Sequence, residues 1–180
     1  MIGQDYTSVT TALGVFVDWS RIRPDVLEAA CTRGTAVHSA CGAYASGLWV
    51  SPLPEEYQGY YQSFTGWFDE YVEEVYLVEK RLFNHTYKYK GKPDFVLKIK
   101  GDKLPSVVDI KTPIAVGKTW KGQISAYKSL VEENENIKIG RCVSLRLKAD
   151  GNPPIANDYQ YSVSDYAAFL NALMAYNYFK

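Results

Sequence analysis

Two aspartates and a lysine lie close together in the stretch GKPDFVLKIKGDKLPSVVDIKTP, residues 91–113. Aspartate is depleted in β-strands, yet Asp94 and Asp109 accompany two alternating segments that are typical of strands. Lys111 lies two residues beyond Asp109 and therefore projects from the same face of its strand. Acidic and basic groups placed in this way are suited to metal binding or to phosphoryl chemistry.

The spacing of the stretch predicts how its two strands pair. If Gly101-Asp102 forms a two-residue turn, the numbers of paired residues add up to 203 and Asp94 stands opposite Asp109. Opposed side chains have Cβ atoms ~4.5–5.5 Å apart, and like charges at that distance are destabilising. A positive group is therefore expected between the acids, and Mg²⁺ is commonly held by one or two carboxylates. In the alternative, Asp94 begins a strand and Asp109 forms a surface ion pair with Lys111, worth under ~1 kcal/mol.

The elements that must position these residues follow from hydrophobic periodicity. Helices are predicted at 24–46, 55–73, 117–133 and 164–179, and strands at 75–83 and 141–148, with an extended segment at 84–90 before the hairpin. This order indicates a mixed α/β fold with a largely antiparallel central sheet and an N-terminal helical region. With 180 residues, 47% hydrophobic and 22% charged, the chain is expected to form one domain.

Charge is distributed unevenly along the chain. Residues 80–121 contain eleven Lys or Arg and three Asp, whereas the whole chain has a net charge of zero. Such asymmetry is typical of a phosphate-binding face on an otherwise acidic body. The alternative is a lysine-rich, solvated edge strand, since lysine commonly protects sheet edges.

Several classes of protein are disfavoured by the composition. Cys31, Cys41 and Cys142 lack paired CxxC spacing, which argues against a zinc or iron–sulfur cluster and against a disulfide framework. The uncharged stretch 34–54 lacks the ~20 mostly apolar residues that a membrane span requires. The N-terminus does not resemble a signal peptide, so a cytoplasmic location without membrane association is expected.

The motifs carry a family resemblance. Pro93-Asp94 followed by Asp109-Ile110-Lys111 resembles the signature of the PD-(D/E)XK nucleases. RGTAVH at 33–38 is similar to the helix-borne histidine motif of the RecB-like branch, and QISAY at 123–127 resembles its QxxxY motif. The segment 6–130 is similar to stand-alone phage and bacterial exonucleases of this branch. The resemblance implies a restriction-endonuclease-like fold with a helical elaboration at 24–73, a nuclease core at 74–150 and a C-terminal helix at 164–179.

The same resemblance implies roles for individual residues. Asp94, Asp109, the Ile110 carbonyl and His38 would bind Mg²⁺ or Mn²⁺, and Lys111 would orient the attacking water or stabilise developing charge. Glu79, on a neighbouring strand, would act as a further catalytic carboxylate or hold a second metal ion; in the alternative it pairs with Arg81 or Lys80. The residues implied to contact DNA lie in and before the next helix: Thr112, Lys118, Trp120, Lys121, Gln123 and Tyr127.

The function implied is that of a metal-dependent DNA exonuclease in recombination, repair or phage DNA processing. Its substrate would be DNA with a free end, and an annealing protein, a helicase or a single-strand-binding protein would be its partner. A homo-oligomer is compatible with the resemblance, and so is a bacterial or phage-encoded origin. An arch formed by the aromatic helix at 55–73 would restrict the site to strand ends. The alternatives are a catalytically silent nucleic-acid-binding protein and a structure-specific endonuclease.

Overall fold

The computed structural model describes residues 6–160 and 163–180, and these form a mixed α/β structure. A five-stranded sheet lies between two layers of helices, and a small three-stranded sheet adjoins it. The elements in chain order are β1 (Thr7–Ser8), α1 (Val9–Gly14), α2 (Pro24–Ala45), α3 (Glu55–Tyr71), β2 (Val72–Val78), β3 (Leu82–Asn84), β4 (Tyr89–Gly91), β5 (Phe95–Ile99), β6 (Ser106–Lys111), α4 (Trp120–Glu135), β7 (Arg141–Arg146), β8 (Ile155–Tyr159) and α5 (Val163–Phe179).

The central sheet has the strand order β2-β5-β6-β7-β8. Only the β6–β7 pair is parallel, so the prediction of a largely antiparallel sheet is confirmed. The inner strands β5, β6 and β7 are nearly continuous runs of buried residues, as expected where helices cover both faces of a sheet. The small sheet has the order β1-β4-β3.

Two hydrophobic layers hold the helices on the sheet. Helices α1, α4 and α5 pack on one face, where alternate strand residues such as Val96 and Val107 are fully buried. Helices α2 and α3 pack on the other face against Phe95, Leu97 and Val108. Because successive strand residues point to opposite faces, the same short strands contribute to both layers.

The hairpin register predicted from the sequence is confirmed. Phe95 pairs with Val108 and Leu97 pairs with Ser106, so the numbers of paired residues add up to 203 as expected. Asp94 lies one residue before β5 and outside this ladder, so its position opposite Asp109 stays a prediction. The alternation of buried side chains therefore predicted the pairing of the two strands.

The predicted two-residue turn is wrong. The ladder ends at Ser106, because the preceding residue, Pro105, has no N–H to donate to the partner strand. The turn lies one residue earlier than predicted, at Lys100-Gly101, where the Asp102 N–H donates to the Ile99 carbonyl at 3.0 Å. Gly101 has a φ of +86°, which this turn requires and which side chains disfavour.

The predicted strand 75–83 is interrupted. Strand β2 ends at Val78, Glu79 adopts a φ of +49°, and β3 begins at Leu82. Residues 85–88 form a turn between β3 and β4 instead of the predicted extended segment. The bend at Glu79 allows the chain to leave the central sheet and enter the small one.

The predicted helices are confirmed with small changes in their limits, since α4 begins at Trp120 and α5 at Val163. The sequence analysis missed β1, α1 and β8. Because β8 belongs to the central sheet, the sheet extends beyond the predicted limit near residue 150.

The predicted arch is wrong. Helix α3 lies flat on the sheet, where Phe64 is fully buried and stacks on Phe95 with ring centroids 5.3 Å apart.

Among the described residues, no helix has the length and apolar character that crossing a bilayer would require.

Candidate metal centre and its hydrogen-bond network

Asp94 is held at the start of β5 by two directed contacts. Its Oδ2 accepts a hydrogen bond from the Ile110 N–H at 2.8 Å, and its Oδ1 lies 3.1 Å from Nδ1 of His38. The side chain is only 9% exposed, so both contacts lie largely out of water. Helix α2 therefore presents its histidine to the amino end of the hairpin, as the histidine motif implied.

Glu79 joins these two residues from the bend after β2. Its N–H donates to the Asp94 carbonyl at 2.9 Å, which fixes the bend beside the aspartate. One ligand atom each from His38, Glu79 and Asp94 lie within 4.8 Å of one another. Gly42, one helical turn after His38, lies beside the Glu79 side chain, and a Cβ there would make an ordinary contact, 3.8 Å from the Glu79 carboxyl carbon.

The group could close around a divalent cation if its ligand atoms moved inward. Around an octahedral ion with 2.0–2.1 Å bonds, opposite ligand atoms are about 4.2 Å apart and adjacent ones about 2.9 Å, so atoms within 4.8 Å of one another would have to approach by up to about 2 Å. Two carboxylates suit Mg²⁺ and Mn²⁺, while the imidazole favours the transition metal. Lys92 already offers a positive partner, since its Nζ lies 2.9 Å from Oε2 of Glu79.

Asp109 belongs to a neighbouring network that is built around a cation. Its carboxylate is in contact with the ammonium of Lys111, and the two side chains are 5% and 15% exposed. Gln123 bridges the pair, because its Nε2 donates to Oδ1 of Asp109 at 3.2 Å while its Oε1 accepts from Lys111 Nζ at 3.2 Å. Nε2 of Gln123 also lies 3.2 Å from Oη of Tyr127.

The two predicted metal-binding aspartates thus have different immediate partners. Asp94 lies with His38 and Glu79, whereas Asp109 lies with Lys111 and Gln123. The positive group expected near the facing acids is present as the Lys111 ammonium. Participation of Asp109 and of the Ile110 carbonyl in metal binding stays a prediction.

Burial and charge shift the pKa values of the site. Burial lowers the pKa of His38, but attraction to Asp94 and Asp109 outweighs burial and the net pKa is raised. Burial raises the pKa of Asp109, against the opposing effect of the Lys111 ammonium. Burial, aided by the Asp109 charge, also raises the pKa of Tyr127, so its hydroxyl stays protonated.

Comparison with known sequences adds no assignment to this geometry. No family model matches the chain, and no curated protein matches it. The residues of the four motifs nevertheless meet in one region, since direct contacts join His38 to Asp94, Asp94 to Ile110 and Gln123 to Asp109.

The residues predicted to contact DNA lie in two different environments. Thr112 and Trp120 are buried, and Lys111 Nζ lies 5.6 Å from the centroid of the Trp120 ring. Lys118 and Lys121 are exposed at the start of α4. Stacking of a base on Trp120 would require its ring to be uncovered, whereas the two lysines are accessible as they stand.

The basic segment is partly neutralised by the rest of the chain. Lys80 pairs with Glu135 at 2.8 Å, and Lys98 pairs with Glu73 at 3.3 Å. The acids come from outside residues 80–121, which explains how a local surplus of positive charge coexists with a neutral protein. A phosphate-binding face would therefore be confined to lysines without such partners.

The sequence analysis assigned Gln123 to DNA binding, whereas in the structure its amide bridges Asp109 and Lys111. It missed Lys92, whose Nζ lies 2.9 Å from Oε2 of Glu79.

Proposed function

We propose that this protein is a metal-dependent DNA nuclease that hydrolyses phosphodiester bonds on a restriction-endonuclease-like fold. The observation that carries the proposal is the placement of a group able to bind a metal directly beside a buried Asp109–Lys111–Gln123 network. Binding of nucleic acid alone needs neither buried carboxylates nor a buried ammonium. Phosphodiester hydrolysis uses both.

His38, Glu79 and Asp94 would hold Mg²⁺ or Mn²⁺. A divalent cation at this position would supply Lewis-acid polarisation of the phosphoryl oxygen. Asp94 is prepared for this task, because the Ile110 N–H orients one of its oxygens and leaves the other beside His38. Asp109 would lie opposite Asp94 across the hairpin and complete the negative wall of the site.

Lys111 would act as a fixed positive charge. Its ammonium donates to Asp109 and to Oε1 of Gln123, so its direction is constrained. In a largely buried position such a cation stabilises negative charge that develops on a phosphoryl oxygen more effectively than it would in water. We therefore assign it electrostatic stabilisation and orientation of the attacking water.

The preference for a free strand end is supported by the sequence resemblance. With α3 packed on the sheet, the described residues contain no arch of the kind considered above. An exonuclease therefore remains the proposal, and cleavage of closed circles would identify an endonuclease. Binding without cleavage would identify the catalytically silent alternative.

The test compares end-labelled linear DNA with a covalently closed circle of the same sequence. Wild-type protein is incubated with Mg²⁺, Mn²⁺ or EDTA, beside Asp109→Asn and the control Asp25→Asn, whose carboxylate is exposed on α2 and pairs with Arg23. Metal-dependent loss of linear DNA that Asp109→Asn abolishes and Asp25→Asn preserves would support the proposal. Absence of cleavage by folded, metal-supplemented wild type would overturn it.

A further inference from the structure

A groove beside the candidate site has no role in the proposal so far. It has a volume of about 550 Å³ and lies between the end of α1, the first turn of α4 and α5. Its floor is apolar and includes Leu13, Phe169 and Ala172. This volume and lining are suited to a flat, largely apolar group of the size of a nucleobase.

One wall of the groove is an exposed aromatic side chain. Phe16 follows α1 and is 58% exposed, although it belongs to a segment that borders the buried core. Every nucleobase has a π-face, so stacking on a phenyl ring binds single-stranded DNA without sequence preference. Trp19 lies in the same segment, is 49% exposed and does not line the groove, which makes it a matched control.

The rim of the groove carries charges that complement a nucleotide. Lys118 makes no ion pair with any residue that the structure describes, and Lys121 is 62% exposed with its Nζ 3.8 Å from Oδ1 of Asp165. Two mobile ammonium groups above an apolar floor can contact backbone phosphates. The Asp165 carboxylate can accept a hydrogen bond from an exocyclic amino group of a base.

The groove and the candidate site share one turn of helix. Gly122 lines the groove, and the next residue, Gln123, contacts Asp109 and Lys111. Successive residues of an α-helix project about 100° apart, so the groove and the candidate site lie on adjacent sides of α4, less than one helix diameter (~10 Å) apart. At the ~3.4 Å spacing of stacked nucleotides, this separation corresponds to at most about three nucleotides.

We propose that this groove binds one nucleobase of single-stranded DNA, at most about three nucleotides from the phosphodiester at the candidate site. The base stacks on Phe16, and Lys118 and Lys121 contact the adjoining phosphates. The inference rests on the proposed nuclease function and assigns it a substrate class, namely DNA that is single-stranded beside the cleavage position.

The test scans a single abasic residue along a 12-nucleotide DNA strand and measures its affinity for the full chain in EDTA by fluorescence anisotropy. We expect wild type to bind one abasic position about tenfold more weakly than the intact strand, which corresponds to the loss of one stacked base. Phe16→Ala should bind the intact strand about tenfold more weakly and should no longer distinguish that position. Trp19→Ala should behave as wild type.

Salt dependence tests the lysines separately. For a single strand, each phosphate contact contributes about 0.7 to the slope of log affinity against log salt. Lys118→Ala and Lys121→Ala should each reduce that slope by about this amount, whereas Lys103→Ala, an exposed lysine in the β5–β6 loop, should leave it unchanged.

Two outcomes would overturn the inference. If Phe16→Ala matches Trp19→Ala with every oligonucleotide, or if wild type is insensitive to all abasic positions, the groove does not hold a base. Wild-type cleavage of linear DNA would then still support the proposed function, which separates the two failures. If wild type neither binds nor cleaves DNA, both proposals are wrong.

Discussion

Replacing Gly91 by alanine should disturb the candidate site by displacing Tyr127. Gly91 ends β4, and a Cβ at this position would lie 2.8 Å from Cε1 of Tyr127 and 2.7 Å from Cδ1 of Leu130. Ordinary contacts between carbon atoms are about 3.5–4.0 Å. The tyrosine ring would therefore have to move from 2.8 Å to at least about 3.5 Å from the new Cβ, a shift of roughly 0.7 Å or more.

The size of the effect follows from this displacement. Overpacking a well-packed interior by one methyl group costs about 1–3 kcal/mol, and Tyr127 is buried between α4 and the sheet. The 3.2 Å contact between Tyr127 and Gln123 has little tolerance, because separations beyond ~3.5 Å no longer form a useful hydrogen bond. We expect Gly91→Ala to lose about 2 kcal/mol of unfolding free energy and to release the Gln123 amide.

Urea unfolding followed by fluorescence measures the stability, and the nuclease assay measures the site. The matched control is Gly66→Ala in α3, where a Cβ would meet nothing within 4 Å and where alanine should add about 0.5–1 kcal/mol to stability. The combination of Gly91→Ala with Tyr127→Leu should destabilise less than the sum of the single changes, since the two positions are in contact. Strict additivity, or a Gly91→Ala protein as stable as wild type, would refute the reasoning.

Three further predictions concern metal binding by Asp94, the buried side chain of Lys128 and the reactivity of the cysteine thiols. Mn²⁺ at a hundredfold its dissociation constant should stabilise wild type by ~2.7 kcal/mol and leave Asp94→Asn unshifted in a thermal melt; an equal shift in both would exclude Asp94 as a ligand. Lys128 is buried and donates to the Ile139 carbonyl at 2.8 Å, so Lys128→Met should cost about 1–3 kcal/mol in urea unfolding, and an unchanged midpoint would contradict this. A thiol reagent should modify exposed Cys31 first in the folded protein, because burial raises the pKa of Cys142 to about 12; rapid labelling of Cys142 would show that the core opens readily.

The hairpin was predictable because its information is local. Alternating side chains between Phe95 and Ile110 fix which residues face each layer, and a slip of one residue would reverse every one of them. The turn was not predictable to the same degree, since the ladder ends at Ser106, next to Pro105, which lacks a donor. Register and turn type were therefore set by different residues.

Only some contacts within the site could be predicted from spacing. Spacing places Lys111 beside Asp109 on one face of β6, but the contacts of His38 with Asp94 and of Gln123 with Asp109 depend on how α2 and α4 pack on opposite layers. The groove was invisible for the same reason, because Phe16, Lys118 and Asp165 come from segments distant in sequence. Long-range packing, which periodicity does not encode, brings them together.

The backbone at Glu79 has a consequence for the selection of variants. A non-glycine residue in the left-handed region costs about 1–2 kcal/mol, and Glu79 has a φ of +49°. Glycine or asparagine would relieve that strain and remove the carboxylate in the same step. A library screened only for heat resistance should therefore become enriched in these two replacements. The selected variants should no longer be stabilised by divalent cations, so selection for thermal stability at position 79 acts against metal affinity.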